Sequence, residues 1–247
     1  CDTEFVMKAW EEWGEESLLR FNGGFAFSLF DQLENTLFLA RDRFGKRPLY
    51  YYEDSEKFVY ASEIKGISSF PGISLKIDAD SMAMIFAFWT PFESITPYEK
   101  VYQVPPGHCL KLNSKGSSTR KYFALSFEGD REACEPGEAT EEVKYTIDRS
   151  VFTRLRSDTE VGTYLSGGLD SAIVTEEARE YVSKIKSFSV TFDDPSFDES
   201  KEQEKLSKYL GTDHYPLRIT SSDIVDSFPQ ALMHAEVPVF RTAFVPM

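Results

Sequence analysis

The sequence is short of basic charge, short of cysteine and without a long apolar run, and each shortage removes a class of function. Lysine and arginine number 27 against 41 aspartates and glutamates, a net charge of −14. A nucleic-acid partner held through its phosphates needs a basic face, so none is expected. An acidic membrane surface would find no basic anchor either. No stretch approaches the ~20 apolar residues that span a bilayer. The start, Cys1-Asp2-Thr3-Glu4, lacks the basic flank and apolar core of a signal peptide. Three cysteines, Cys1, Cys109 and Cys134, are widely spaced and form no C-x-x-C pair. They supply neither a disulfide framework nor a zinc site, and a cytoplasmic setting is the expectation. An initiator methionine is absent and the chain stops at Val245-Pro246-Met247 without a closing element, so a fragment truncated at both ends is expected.

What is present is enough apolar material for a core, 41 % hydrophobic and 15 % aromatic. The first half reads as β-rich. The run Gly24 to Asp31 and the run Thr36 to Arg41 flank a hairpin turn, and Pro48 to Tyr52 pairs with Lys57 to Ala61 around an acidic turn. Phe5 to Leu19 reads as one helix. Gly116-Ser117-Ser118-Thr119 and then Phe127 to Thr140 break the pattern and mark the linker. Beyond it, Val143, Ile147, Val151 and Leu155 fall four apart, which predicts a helix over Lys144 to Arg156. Strand and helix then alternate: Val161 to Leu165, Leu169 to Lys184, Ser187 to Phe192, Asp198 to Leu210 closed by Gly211, and His214 to Ile219. That alternation predicts a parallel sheet.

Ligands of an open parallel sheet sit at the carboxyl ends of its strands. Ser166-Gly167-Gly168-Leu169-Asp170-Ser171 occupies that place, between a strand end and a helix start. Two glycines let the backbone turn and approach a phosphate without a Cβ in the way. The helix N-terminus offers unpaired N–H groups and a positive dipole end, which suits a pyrophosphate. Ser166 and Ser171 can donate to phosphate oxygens. Asp170 would repel phosphate directly, so its role is to hold a Mg²⁺ that bridges the two. The Walker pattern, with its phosphate-binding lysine, is absent.

At these residues the chain resembles the glutamine-dependent asparagine synthetases. The loop is similar to that of the N-type ATP pyrophosphatases. Phe21 to Phe27, Ala40 to Tyr51, Ala61 to Gly66 and Val104 to His108 look like the family's glutaminase domain. Arg156 to Gly162, Ser187 to Val190 and Leu210 to His214 look like its synthetase domain. The implied fold class is an α+β Ntn-type glutaminase sandwich (C-terminal part) followed by an α/β parallel-sheet ATP pyrophosphatase domain (N-terminal part). The implied division is a partial glutamine amidotransferase type 2 domain at 1–125, a linker at 126–140 and a partial asparagine synthetase domain at 141–247. The resemblance implies that ammonia from glutamine amidates aspartate, first adenylated by ATP with Mg²⁺. By position, Leu165 and Val190 would meet adenine through main-chain groups. Ser166, Gly167, Gly168 and Ser171 would cradle the pyrophosphate, and Asp170 would hold the metal. A homodimer is an assembly the resemblance allows.

The ends carry two further expectations. In the family the glutaminase nucleophile is an N-terminal cysteine followed by Gly-Ile, whereas Cys1 is followed by Asp2-Thr3-Glu4 and a helix. The nucleophile is therefore expected upstream and not at Cys1, and no catalytic residue is assigned. Asp2 matches the residue that binds the amino group of glutamine. Arg241 is a candidate contact for pyrophosphate or substrate, and Glu236 is one that would face the active site. His108 and His214 match family positions but read as structural. Ala172 stands where a second serine is common. Two alternatives stay open: a relative, such as a β-lactam synthetase, that adenylates another carboxylate, and a non-catalytic interaction scaffold. The isolated chain is expected to turn over little.

Overall fold

The computed structural model describes residues 1–127 and 135–246; Cys134 and the middle of the expected linker lie outside the described residues. Two compact units divide the chain. One comprises Cys1–Glu128 and Leu232–Phe240, the other Gly129–Ala231 and Arg241–Met247.

The first unit is built from helices on antiparallel sheets. Helix α1 (Asp2–Trp13) stops at Gly14, whose φ of +54° no longer fits a helix, and α2 (Ser17–Arg20) follows after one 3-10 turn. The single helix expected over Phe5 to Leu19 is thus broken at its glycine. Strands β1 (Ala26–Asp31) and β2 (Thr36–Arg41) form the expected hairpin. Its turn is held by the Asp31 carboxylate, which accepts from the N–H groups of Leu33 and Glu34 at 2.9 and 3.0 Å. Strands β3 (Tyr50–Glu53) and β4 (Phe58–Ala61) form the second hairpin. There Asp54 does the same for Glu56 and Lys57. Helix α3 (Ile64–Ser68) follows, then α4 (Ala79–Phe88), capped by the Asp78 carboxylate. Strands β5 (Val101–Gln103), β6 (His108–Asn113) and β7 (Gly116–Lys121) complete the unit.

One sheet has the order β1-β2-β6-β7 and the other β4-β3-β5, every pairing antiparallel. Leu39, Leu49, Val104 and Leu110 pack with Tyr51 and Phe58 between the sheets. Ala9 and Leu18 of the helices pack on the other face of the first sheet, against Phe38, Ala40 and Cys109. Along β2, Phe38 and Ala40 face the helices while Leu39 faces the second sheet, so the strand reads as a continuous apolar run. Ile64, Ile67 and Val101 form a third cluster with Tyr52. Gly116 to Thr119, expected as linker, is instead part of the exposed edge strand β7, paired with β6 from His108 to Asn113. Pairing with β6 holds that strand together with polar contacts from Ser117 to Glu53 and from Arg120 to Glu15, and its side chains carry no apolar period.

In the second unit, α5 (Pro136–Arg154) begins at a proline suited to a first turn, earlier than the apolar spacing alone gives. Strands β8 (Gly162–Tyr164), β9 (Lys186–Phe192) and β10 (Asp213–Ile219) make a parallel sheet in the order β10-β9-β8. The crossovers contain α6 (Leu169–Tyr181) and α7 (Ser200–Leu210), and α8 (Ser221–Ala235), whose residues from Leu232 on count with the first unit, follows the sheet. Val151 of α5, Ala178 of α6 and Ile185 share one core. Gly211 closes α7 with φ +65°, as its position after the last apolar residue predicts.

The antiparallel sheets therefore occupy the N-terminal part of the chain and the parallel sheet the C-terminal part. This reverses the placement in the expected fold class, which set the glutaminase sandwich as the C-terminal part and the pyrophosphatase domain as the N-terminal part. Tight turns allow only antiparallel neighbours, whereas parallel pairing requires the helical crossovers found from residue 169 onward.

Candidate functional site

The glycine-rich loop leaves the end of β8 and enters α6 directly. Leu165 is 1 % exposed, and its N–H donates to the Phe188 carbonyl at 2.8 Å, which ties the loop's first residue to β9. Gly167 turns the chain with φ +83°, and a Cβ there would come within 3.3 Å of the Glu202 side chain on α7. Gly168 sits at the N-cap of α6. The two hydroxyls of the loop find each other: Ser166 Oγ and Ser171 Oγ are 3.0 Å apart, and Ser171 Oγ also accepts from the Ser166 N–H at 3.1 Å. Ser166 is exposed and Ser171 half-buried beside it, and either hydroxyl can turn toward a ligand. Asp170 lies exposed in the first turn of α6.

Beside the loop lies a cavity of about 560 Å³, lined by Leu165, Ser166, Val190, Phe197, Gln203 and Tyr215 among others. Its walls are mostly apolar, with the loop serine at one side. Gln203 Nε2 donates to the Val190 carbonyl at 3.1 Å, so one of that oxygen's lone pairs is already engaged. The structure thus brings Leu165, Ser166 and Val190 to one cavity and sets Gly167, Gly168, Asp170 and Ser171 in the loop beside it. Among the described residues no group of three or more His, Cys, Asp or Glu could hold a metal ion. A lone exposed carboxylate still fits Mg²⁺, which typically binds one or two carboxylates and takes its other ligands from substrate phosphates and water.

Asp2 lies elsewhere, in the first unit. It opens α1 and lines a large groove with Arg47, Ser62, Gly24, Trp10 and Phe27. The groove runs along β1, the edge of its sheet. Arg47 gives it a cation opposite in sign to Asp2, and the loop that presents Arg47 is held from within. Asp42, 1 % exposed, accepts from the N–H groups of Phe25, Phe44, Lys46 and Arg47 at 3.0–3.3 Å. Burial acts to raise the Asp42 carboxyl, but those four backbone donors outweigh it and hold the group below the usual carboxylate range. The neighbouring Arg41 donates to the carbonyls of Arg47, Val104 and Gly45 and to the Gln103 side chain. Burial pulls its pKa down, against opposing contributions from Tyr50 and Asp42. Sequence reasoning gave Arg47 no role. The signal was the run Arg41-Asp42-Arg43-Phe44-Gly45-Lys46-Arg47, too densely charged for a plain hairpin connection.

Comparison with known proteins bears on both sites. Residues 1–123 match the glutamine amidotransferase domain and residues 142–247 match asparagine synthase. The chain belongs to the glutamine-hydrolysing asparagine synthetase family. The order of the two matches also fixes the correction made above, with the amidotransferase domain N-terminal. Asparagine synthetase [glutamine-hydrolyzing] 3 of Bacillus subtilis is 30 % identical over 96 % of this chain and 41 % of its own length. A putative asparagine synthetase of Methanocaldococcus jannaschii is 32 % identical over 87 % of this chain and 42 % of its own. Amidase chry2 of Gibberella zeae is 29 % identical over 96 % and 38 %. The chain thus spans about two fifths of the length of the curated relatives it matches.

The remaining candidates of this family member fall as follows. Cys1 is exposed at the N-cap of α1, with its amine 3.7 Å from Glu4. Arg241 is an exposed residue at the start of the 3-10 turn Thr242–Phe244. His108 Nδ1 lies 2.7 Å from the Pro106 carbonyl. His214 lies between two hydroxyls, Nδ1 at 2.9 Å from Ser187 and Nε2 at 3.1 Å from Ser189, a placement that orients the ring within the sheet. Glu236, expected to face the active site, instead caps α3: its carboxylate accepts from Ile64 N–H and Lys65 N–H, both at 2.6 Å. No helix of the described residues is long and apolar enough to cross a membrane.

Proposed function

We propose that the chain holds parts of two cooperating sites, one that takes glutamine and one that takes ATP, in an enzyme converting aspartate to asparagine. The observation that carries this reading is the Ser166–Ser171 loop at the carboxyl end of β8, beside an apolar cavity of about 560 Å³. The base would enter that cavity, and the pyrophosphate would lie on the loop, where Gly167 and Gly168 leave space and α6 directs its N-terminus. ATP would arrive with Mg²⁺, which would supply charge neutralisation of the phosphates, with Asp170 as its protein ligand. An aspartate carboxylate oxygen attacks the α-phosphorus and pyrophosphate leaves. Ammonia then attacks the acyl carbonyl, and AMP leaves.

In the first unit, the groove lined by Asp2 and Arg47 suits an amino acid's two charges. Asp2 would receive the α-ammonium of glutamine, and Arg47 the α-carboxylate as a planar donor fork. The kinship with a named amidase favours one second reading: the same adenylation applied to a carboxylate other than aspartate.

Calorimetric titration of the chain with ATP and Mg²⁺ tests the nucleotide reading. A saturable exothermic signal that Gly167→Ala abolishes is expected. A folded protein that shows none overturns this reading and leaves the interaction scaffold. Pyrophosphate release measured with aspartate and with a panel of other carboxylates separates the two enzymatic readings.

A further inference from the structure

Gln203 is paired at one end of its amide and not at the other. It lies on α7, is 3 % exposed and lines the cavity beside the glycine-rich loop. Its side chain passes close to that loop: a Cβ on Gly167 would sit 3.7 Å from Gln203 Cγ. The amide nitrogen donates to the Val190 carbonyl at 3.1 Å. That bond fixes the orientation of the amide, because the reverse would set its oxygen against the Val190 oxygen. The other end, Oε1, is buried and meets no donor among the described residues. An unpaired buried acceptor costs free energy, and in the wall of a cavity it marks the place of a ligand's donor.

The surroundings narrow the choice of donor. Along β9 the Phe188 carbonyl accepts from Leu165 N–H, at the end of β8. Val190, two residues on, directs its carbonyl to the same side, where β8 has given way to the loop and no strand remains to pair with it. With one lone pair taken by Gln203, the other stays open. Phe188 of β9 stacks on Tyr215 of β10 (5.5 Å, 24°), and both line the cavity with Phe192 and Phe197, walls that take a flat ring. The Tyr215 hydroxyl is committed to Asp213 at 2.6 Å, and Ser189 Oγ lies 3.1 Å from His214. What stays open beside α7 is a pair of acceptors, Gln203 Oε1 and the Val190 carbonyl. Two acceptors linked through one amide match the two N–H bonds of a single amine.

We propose that Gln203 is a specificity-determining residue of the nucleotide site: its Oε1, together with the Val190 carbonyl, accepts the two N–H bonds of the adenine 6-amine. The inference rests on the nucleotide reading given above and adds the side chain that selects the base. The terminal torsion of a glutamine is broad, so the amide turns Oε1 to the amine while its nitrogen stays on Val190. Guanine sets a carbonyl at the position of the amine, oxygen against oxygen. A purine with only hydrogen there leaves both acceptors unfilled.

Dissociation constants for ATP, GTP and purine riboside triphosphate, which lacks the amine, test this on the chain in Mg²⁺. Wild type is expected to bind ATP about tenfold tighter than the amine-free analogue and at least about fiftyfold tighter than GTP. Gln203→Met keeps the length of the side chain and removes its amide. In that variant ATP should weaken to within about threefold of the analogue, the preference that the Val190 carbonyl supplies alone, while the analogue binds as it does to wild type. Equal affinity for ATP and either other nucleotide in wild type overturns the proposal and leaves the nucleotide reading standing. Failure of the folded wild type to bind ATP removes both. A variant that loses the same factor for ATP and for the analogue shows a merely structural Gln203 and overturns the assignment. Gln203→Asn, which withdraws the amide by one methylene, should lose the same preference and decides the point if the methionine variant does not fold.

Discussion

At the scale of the residue, Asp42 is the most heavily committed side chain of the first unit. Replacing it with alanine leaves four backbone donors without their charged acceptor. A loss of about 3 kcal/mol is expected, measured as a shift in the urea midpoint. Its pH dependence has a defined sign. Because the folded carboxyl is held below its unfolded value, its contribution is complete above about pH 4. It is lost as pH falls from there toward the folded value. Asp42→Asn should therefore flatten the acid limb of the stability profile, and a limb of equal steepness in the variant would exclude Asp42 as its source. Cys109 offers a simpler check. Burial, with Glu15 adding to it, pushes its thiol up to about 12, so the reactive thiolate is essentially absent at neutral pH. Iodoacetamide should label the exposed Cys1 in the native protein and reach Cys109 only on unfolding, as peptide mapping would show.

At the scale of the element, the second unit depends on glycines placed where a side chain has no room. A Cβ at Gly162 would lie 2.7 Å from Phe188 Cε2 and 3.1 Å from the Lys186 carbonyl, across the β8–β9 pair. Gly162→Ala should cost about 1–3 kcal/mol by thermal melting, because backbone as well as ring must shift. Gly167→Ala should cost about 1–2 kcal/mol for its left-handed backbone, and it should weaken ATP binding far more than it lowers stability. What the sequence made legible follows from the same logic. The hairpins 26–41 and 50–61 and the alternation after residue 162 were readable because apolar period and turn residues coincide there. Strand β7 was not, since Gly116 to Lys121 has no apolar residue and exists by pairing with β6. Among site residues, the loop serines and glycines announced themselves by their spacing. Arg47 had only the charge density of the 41–47 run to mark it, and the place of Glu236 on the start of α3 arises from tertiary approach and leaves no local signature.

At the scale of the whole molecule, the three tryptophans, Trp10, Trp13 and Trp89, all lie in the first unit. Tryptophan fluorescence therefore follows that unit alone, while circular dichroism at the helical bands follows both. Ending the chain after Ala231 should lower the fluorescence-detected midpoint by several degrees. It removes the Glu236 cap and the stack of Phe240 on Trp89, interactions worth roughly 2–4 kcal/mol together. An unchanged fluorescence midpoint would mean that Leu232–Phe240 contributes nothing to that unit.

That dependence has a temporal side. A chain leaving the ribosome presents its first 128 residues well before Leu232 is made. At ordinary synthesis rates the interval is on the order of ten seconds. Throughout it, the start of α3 lacks its carboxylate and the face of Trp89 lacks its ring. The first unit cannot be finished when residue 128 is made: its closing pieces, Leu232–Phe240, come only after the strands of the parallel sheet.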